Sequence, residues 1–157
     1  MNSVTRVRRI ASLVFIVAVL AVSGSAAKAD TSQVAQIKTV SGQAEIVRNG
    51  ARSSARVGDP LYEKDTIETG ADGAIGITFI DNTVMSGGPN SQIVLEDYKF
   101  NSSNFKGSML TDMNRGTVSM ISGDIARSTP GAMKVKTPTA ILGVRGTRFV
   151  IEVKDNR

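Results

Sequence analysis

Past residue 30 the apolar positions recur in short runs of period two, and none of these runs lengthens into the 3.6 period of an amphipathic helix. The clearest run is GAIGITF, where Ile75, Ile77 and Phe79 share one face and Ala74, Gly76 and Thr78 the other. QAEIVR places Ala44 and Ile46 opposite Glu45, and VAQIKTV from Val34 stops at Ser41-Gly42. Leu61 and Ile67 share a parity in VGDPLYEKDTIETG, read as one strand. Asn49-Gly50 is a hairpin signal, while Gly58-Asp59-Pro60, Gly70, Asp81-Asn82, Gly88-Pro89-Asn90 and Thr129-Pro130-Gly131 mark further turns. The stretch YKFNSSNFKGSMLTDMNRG from Tyr98 is polar and reads as a loop or a loose edge hairpin. The pattern predicts an all-β meander of short strands, closed as a compact two-sheet or short solenoid-like roll, with no substantial helix. A weak echo of Gly42-x-Ala44-x-Ile46 in Gly116-x-Val118-x-Met120 suits two similar halves, but its spacings are too unequal for a regular repeat array.

The first 29 residues differ from the rest. Arg6, Arg8 and Arg9 precede an apolar run from Ile10 to Val22, followed by small residues and Ala27-Lys28-Ala29. This is the layout of a secretory signal peptide, and the run falls short of the roughly 20 residues that a spanning helix needs. Residues 1–29 are therefore read as a leader and 30–157 as a single β domain, exported to the periplasm and not membrane-spanning after cleavage. Cleavage changes the electrostatics. Four of the nineteen basic residues and none of the fourteen acidic ones lie in the leader, so the mature chain carries a net charge of +1. That balance gives no charge-based case for binding nucleic acid. With no cysteine the domain has no disulfide, and with no histidine it lacks the commonest general base and metal ligand.

The chemistry left is sparse. Gly143-Val-Arg-Gly146 has two residues between its glycines where a phosphate loop has four, and no helix is expected after it, which excludes both the P-loop and the dinucleotide fingerprint. Ser103-x-x-Lys106 matches a nucleophile motif by letter only, in a polar loop. Asp59, Asp65, Asp72 and Asp81 sit beside turn residues, where a carboxylate usually bonds its own backbone, and they lack calcium-loop spacing. No catalytic residue, metal site or cofactor is expected. The arginines of TPTAILGVRGTRF are the remaining candidates. In an unbroken strand Arg145 would share a face with Phe149, Ile151 and Val153, so Gly143 and Gly146 are expected to turn the chain and release Arg145 to the surface. Arg145 and Arg148 are the candidate interaction residues. Gly143, Gly146, Asp81, Asn82, Gly88, Pro89 and Asn90 are the candidate structural turns.

GQAEIVRNG, VGDPLYEKDTIETGADGAIGITFIDNT, SGGPNSQIVLEDY and VKTPTAILGVRGTRFVIEV together resemble the FecR-type domain family, from about Val34 to Val153. The resemblance implies an all-β periplasmic sensing or interaction module without catalytic residues. In the regulators for which the family is named, a cytoplasmic anti-sigma segment and a membrane helix precede this domain. Here a signal peptide stands in their place, so neither direct sigma-factor control nor a link to iron is carried over. The expected function is a non-enzymatic periplasmic module for envelope signalling that binds another envelope protein through an exposed strand edge. The alternatives are a self-associating structural envelope protein, hence a homo-oligomer, and, with less support, an envelope hydrolase using acidic residues.

Overall fold

The computed structural model describes residues 32–146 and 148–154; the expected leader lies outside them. Twelve strands run in order: β1 (Gln33–Ser41), β2 (Ala44–Arg48), β3 (Ala51–Ser54), β4 (Pro60–Tyr62), β5 (Thr66–Thr69), β6 (Ala74–Phe79), β7 (Val84–Gly87), β8 (Gln92–Asn101), β9 (Lys106–Ile121), β10 (Met133–Lys136), β11 (Ile141–Val144) and β12 (Arg148–Val153). Among the described residues one short helix, α1 (Asp124–Ser128), follows β9. The protein is all-β, its strands joined in one strongly curled sheet.

The sheet has two wings that share β9. One wing runs β3-β2-β5-β8-β9-β10-β11 and the other β4-β1-β6-β7-β9-β12. All pairings are antiparallel except β9 with β10. β9 passes from one wing to the other at Gly116: Arg115 still pairs with Gln92 of β8, while Val118 already pairs with Gly87 of β7. Gly116 makes this bend at φ +93°, and a side chain there would overlap Ser91.

The inner faces of both wings form one core. Ile75, Ile77, Phe79, Ala44, Ile46, Leu61 and Ile67 are all buried in it, as the alternation predicts. Five buried methionines, Met85, Met109, Met113, Met120 and Met133, occupy its centre, with Met85 opposite Met120 and Met109 opposite Met133. In a chain this poor in aromatics, unbranched methionines fill the irregular space between curved wings.

Two expectations are corrected. The polar stretch after Tyr98 is no loose edge: it forms the end of β8, a tight turn and β9, the strand at the centre of the molecule. Its polarity misleads because only Met109, Thr111 and Met113 face the core along the first half of β9, while bulged pairing with β8 breaks the strict alternation. The segment from Pro60 to Thr69 is not one strand. Lys64 takes φ +70°, and the chain leaves β4 in one wing for β5 in the other. Asp65 fixes this break, accepting from the Tyr62 amide at 2.8 Å and from Arg48 Nε and Nη2 at 2.7 and 2.8 Å.

Candidate interaction edge

Each wing ends in two edge strands, and their chemistry differs. β3 reads ARSS, and its Arg52 is held by Glu45 and Glu68 at 2.9 and 2.7 Å. β4 is three residues long and begins with Pro60, which has no amide to donate. β12 alternates exposed Arg148, Val150 and Glu152 with Phe149, Ile151 and Val153, which pack against the core. β11 reads ILGV, with neither charge nor proline, and among the described residues pairs only with β10. Ile141 and Leu142 are 66% and 42% exposed there, while Val144 is buried. By charge and composition, β11 is the least protected edge of the sheet.

Register assigns the two faces of β11. Lys136 pairs with Ile141, and Lys134 with Gly143, on the outer face. Val135 pairs with Leu142, and Met133 with Val144, on the inner face, where Met133 and Val135 are buried. The β10–β11 turn is closed by Thr137, whose amide donates to the Ala140 carbonyl at 2.8 Å and whose Oγ1 accepts from the Ala140 amide at 3.1 Å. Between this turn and the end of β12 lies a cleft of about 600 Å³, lined by Pro138, Leu142, Ile151, Val153 and Lys154 among others. Leu142 thus reaches from the free edge into the cleft.

Arg145 is exposed and follows directly on the end of β11. Arg148 begins β12 and is also exposed. Gly146 takes the corner at φ +51° with open space around it. Gly143 does not: it lies inside β11 with open space where a Cβ would stand, and the left-handed corner falls at Gly146. Among the described residues neither Arg145, Lys134 nor Lys154 makes an ion pair, whereas Lys136 is bound to Asp112 at 2.7 Å, which raises its pKa.

The other turn residues stitch the wings together. Asp81 is fully buried and accepts from the Thr83 amide and hydroxyl at 3.2 and 2.8 Å, the Tyr98 hydroxyl at 3.1 Å and the Ile125 amide at 3.3 Å. Tyr98 stacks on Phe79, and burial together with the Asp81 charge drives its hydroxyl far above the usual tyrosine pKa. Asn82 and Asn90 hold φ of 65° and 52°, and Asn82 donates to Asp124. Gly88 donates to the Thr117 carbonyl and accepts from Thr69 Oγ1, so the Gly88-Pro89-Asn90 crossing between wings is tied to both. Thr69, Thr83, Ser91 and Thr117, which complete these seams, are ordinary strand or turn letters in the sequence, and only their pairing partners across the fold reveal them. Asp59 and Asp72 bond the amides of Arg56 and Gln43, while Ser103 lies in the β8–β9 turn and Lys106 opens β9, their amides donating to Asn101 and Asn104. Among the described residues no group of three or more acids is placed to hold a metal ion.

The sequence pattern of the FecR protein family matches residues 65–157, from the buried Asp65 through the β10–β12 unit. The chain belongs to the FecR family. This family is linked to sigma-factor regulation and signalling. Neither the curated proteins nor the solved structures contain a match to the chain. The FecR match begins at β5, yet β1 pairs with β6 and β2 with β5, so the strands ahead of it complete both wings of the FecR fold. No helix among the described residues is long and apolar enough to cross a membrane.

Proposed function

We propose that this FecR domain is a non-enzymatic, periplasmic interaction module of envelope signalling, which binds a protein partner by adding the partner's strand to the free edge of β11. The single observation that carries this reading is the contrast among edges. Three are charged, or short and proline-led, while β11 offers unpaired backbone groups beside exposed Ile141 and Leu142. The acids weighed for hydrolysis support it from the other side, since Asp65 and Asp81 are engaged in the fold's own hydrogen bonds. Export by a cleaved leader, with the periplasm as destination, accords with family membership.

The test is site-specific photocrosslinking in intact envelopes. A crosslinker at Ile141 is expected to give a defined protein adduct that one at Ser53, on β3, does not. Equal adducts from both positions, or none from Ile141, would remove the edge reading.

A further inference from the structure

We infer that the partner segment is an extended strand whose alternate side chains are apolar and acidic, the apolar set facing inward over Leu142 and the acids outward. The inference rests on the edge reading above and adds the chemistry of what binds there.

Charge is distributed unevenly along the chain. Between Met133 and Lys154 stand Lys134, Lys136, Arg145, Arg148 and Lys154 against a single acid, Glu152. From residue 30 to 132 the balance is reversed, with nine basic and twelve acidic residues. Of these cations Lys134, on β10, and Arg145, just past β11, flank the free edge with no ion pair among the described residues, whereas Lys136 is bound to Asp112, and the near-neutral total conceals them.

Geometry assigns each face of the incoming strand. Side chains of a strand added to β11 alternate as those of β11 do. On the inner face they meet Leu142 at the cleft that also holds apolar Ile151 and Val153, with Glu152 and Lys154 among its polar lining. On the outer face they meet Ile141 and then Gly143, with exposed Arg145 just beyond the end of the strand. Gly143 has no side chain and open space above it, so a carboxylate placed opposite can reach across β11 to Lys134, its register partner on β10. A glycine here, where backbone conformation does not demand one, is accounted for by this passage.

A second copy of the chain fits less well, because edge-to-edge pairing of two β11 strands would set Lys134 and Arg145 of one copy near those of the other. Like charges so placed are unfavourable. A flat anionic surface would use the cations but leave the backbone edge and the cleft unfilled.

Three synthetic nine-residue peptides test the proposal, alternating valine with glutamate, with lysine or with serine, titrated onto the purified protein by fluorescence anisotropy. The glutamate peptide is expected to bind about tenfold more tightly than the serine peptide, as a few exposed charge pairs would give, and to weaken with salt. Arg145→Glu is expected to abolish that preference while leaving serine-peptide binding in place, and Gly143→Val to reduce it. Equal binding of all three peptides would overturn the acidic specificity and leave the edge reading standing. Binding of none would overturn both. Concentration-dependent dimers that exclude the peptides, or sedimentation with anionic vesicles without peptide binding, would each give the edge to a different occupant and overturn the inference.

Discussion

At the scale of single residues, three glycines that look alike in sequence are separated by their surroundings. Gly116 combines φ +93° with a Cβ position that would overlap Ser91, so Gly116→Ala should cost about 3 kcal/mol or more, as backbone strain and overpacking add. Gly146 has φ +51° and free space, which leaves the conformational term alone, and Gly146→Val should cost about 1–2 kcal/mol. Gly143→Ala should be close to neutral. Urea unfolding of the three variants checks the order 116, 146, 143, and any other order contradicts the local geometry.

Asp65 and Asp81, both fully buried, make a second residue-scale case. Asp65→Ala should lower stability by about 2–3 kcal/mol, since it strips two charge-assisted bonds from the half-exposed Arg48 and leaves the Tyr62 amide without its acceptor. Arg48 keeps its bond to the Pro60 carbonyl and its place over the Tyr62 ring, which limits the loss. Both acids stand beside turn letters in the sequence, and the turn reading follows from that. Their burial was not legible there, because it comes from Arg48, Tyr98 and Ile125, residues 17, 17 and 44 positions away.

Among elements, the strands with one wet face were the legible ones. GAIGITF and AEIVR read directly, because period-two burial against a single core writes itself into the letters. β9 did not, because it serves two wings, changes neighbours at Gly116 and carries buried Thr111 and Asp112 among its methionines. A strand hydrogen-bonded on both sides along much of its length should also be the last to open. Amide exchange is therefore expected to be slowest in β9, with β3, β11 and β12 faster; protection of β9 no greater than that of the edges would deny it the central place. The edge itself was legible only as a motif. TPTAILGVRGTRF announced a bent segment with exposed arginines, but that β11 ends its wing with one side free depends on the parallel seat of β10 beside β9, which no local pattern encodes.

For the molecule as a whole, one core spanning both wings predicts cooperative unfolding with a definite pH dependence at each end. At the alkaline end Tyr98 matters. Its folded pKa is raised, so its contribution is complete below the ordinary tyrosine value of about 10 and is lost as pH climbs above it. In a Tyr62→Phe background, where Tyr98 is the only tyrosine, tyrosinate absorbance should rise only together with unfolding. A rise near pH 10 in the folded protein would contradict its burial beside Asp81. At the acid end Glu68 acts in the opposite sense, because hydrogen bonds from Arg52 and then Gln92 hold its pKa below the usual carboxylate range. Its contribution is present above the ordinary glutamate value and fades as pH falls through the lowered one, so Glu68→Gln should flatten the acid limb of stability.

The basic stretch from Lys134 to Lys154 gives this otherwise acidic domain a charge asymmetry that its net charge hides, and the proposed partner edge, β11, lies within it. Hydrogen exchange with and without the valine–glutamate peptide tests that placement most directly. The account predicts slowed exchange within Ile141–Val144 and no change in Ala51–Ser54 of β3. Protection at β3, or bound peptide with the β11 amides unchanged, would contradict it.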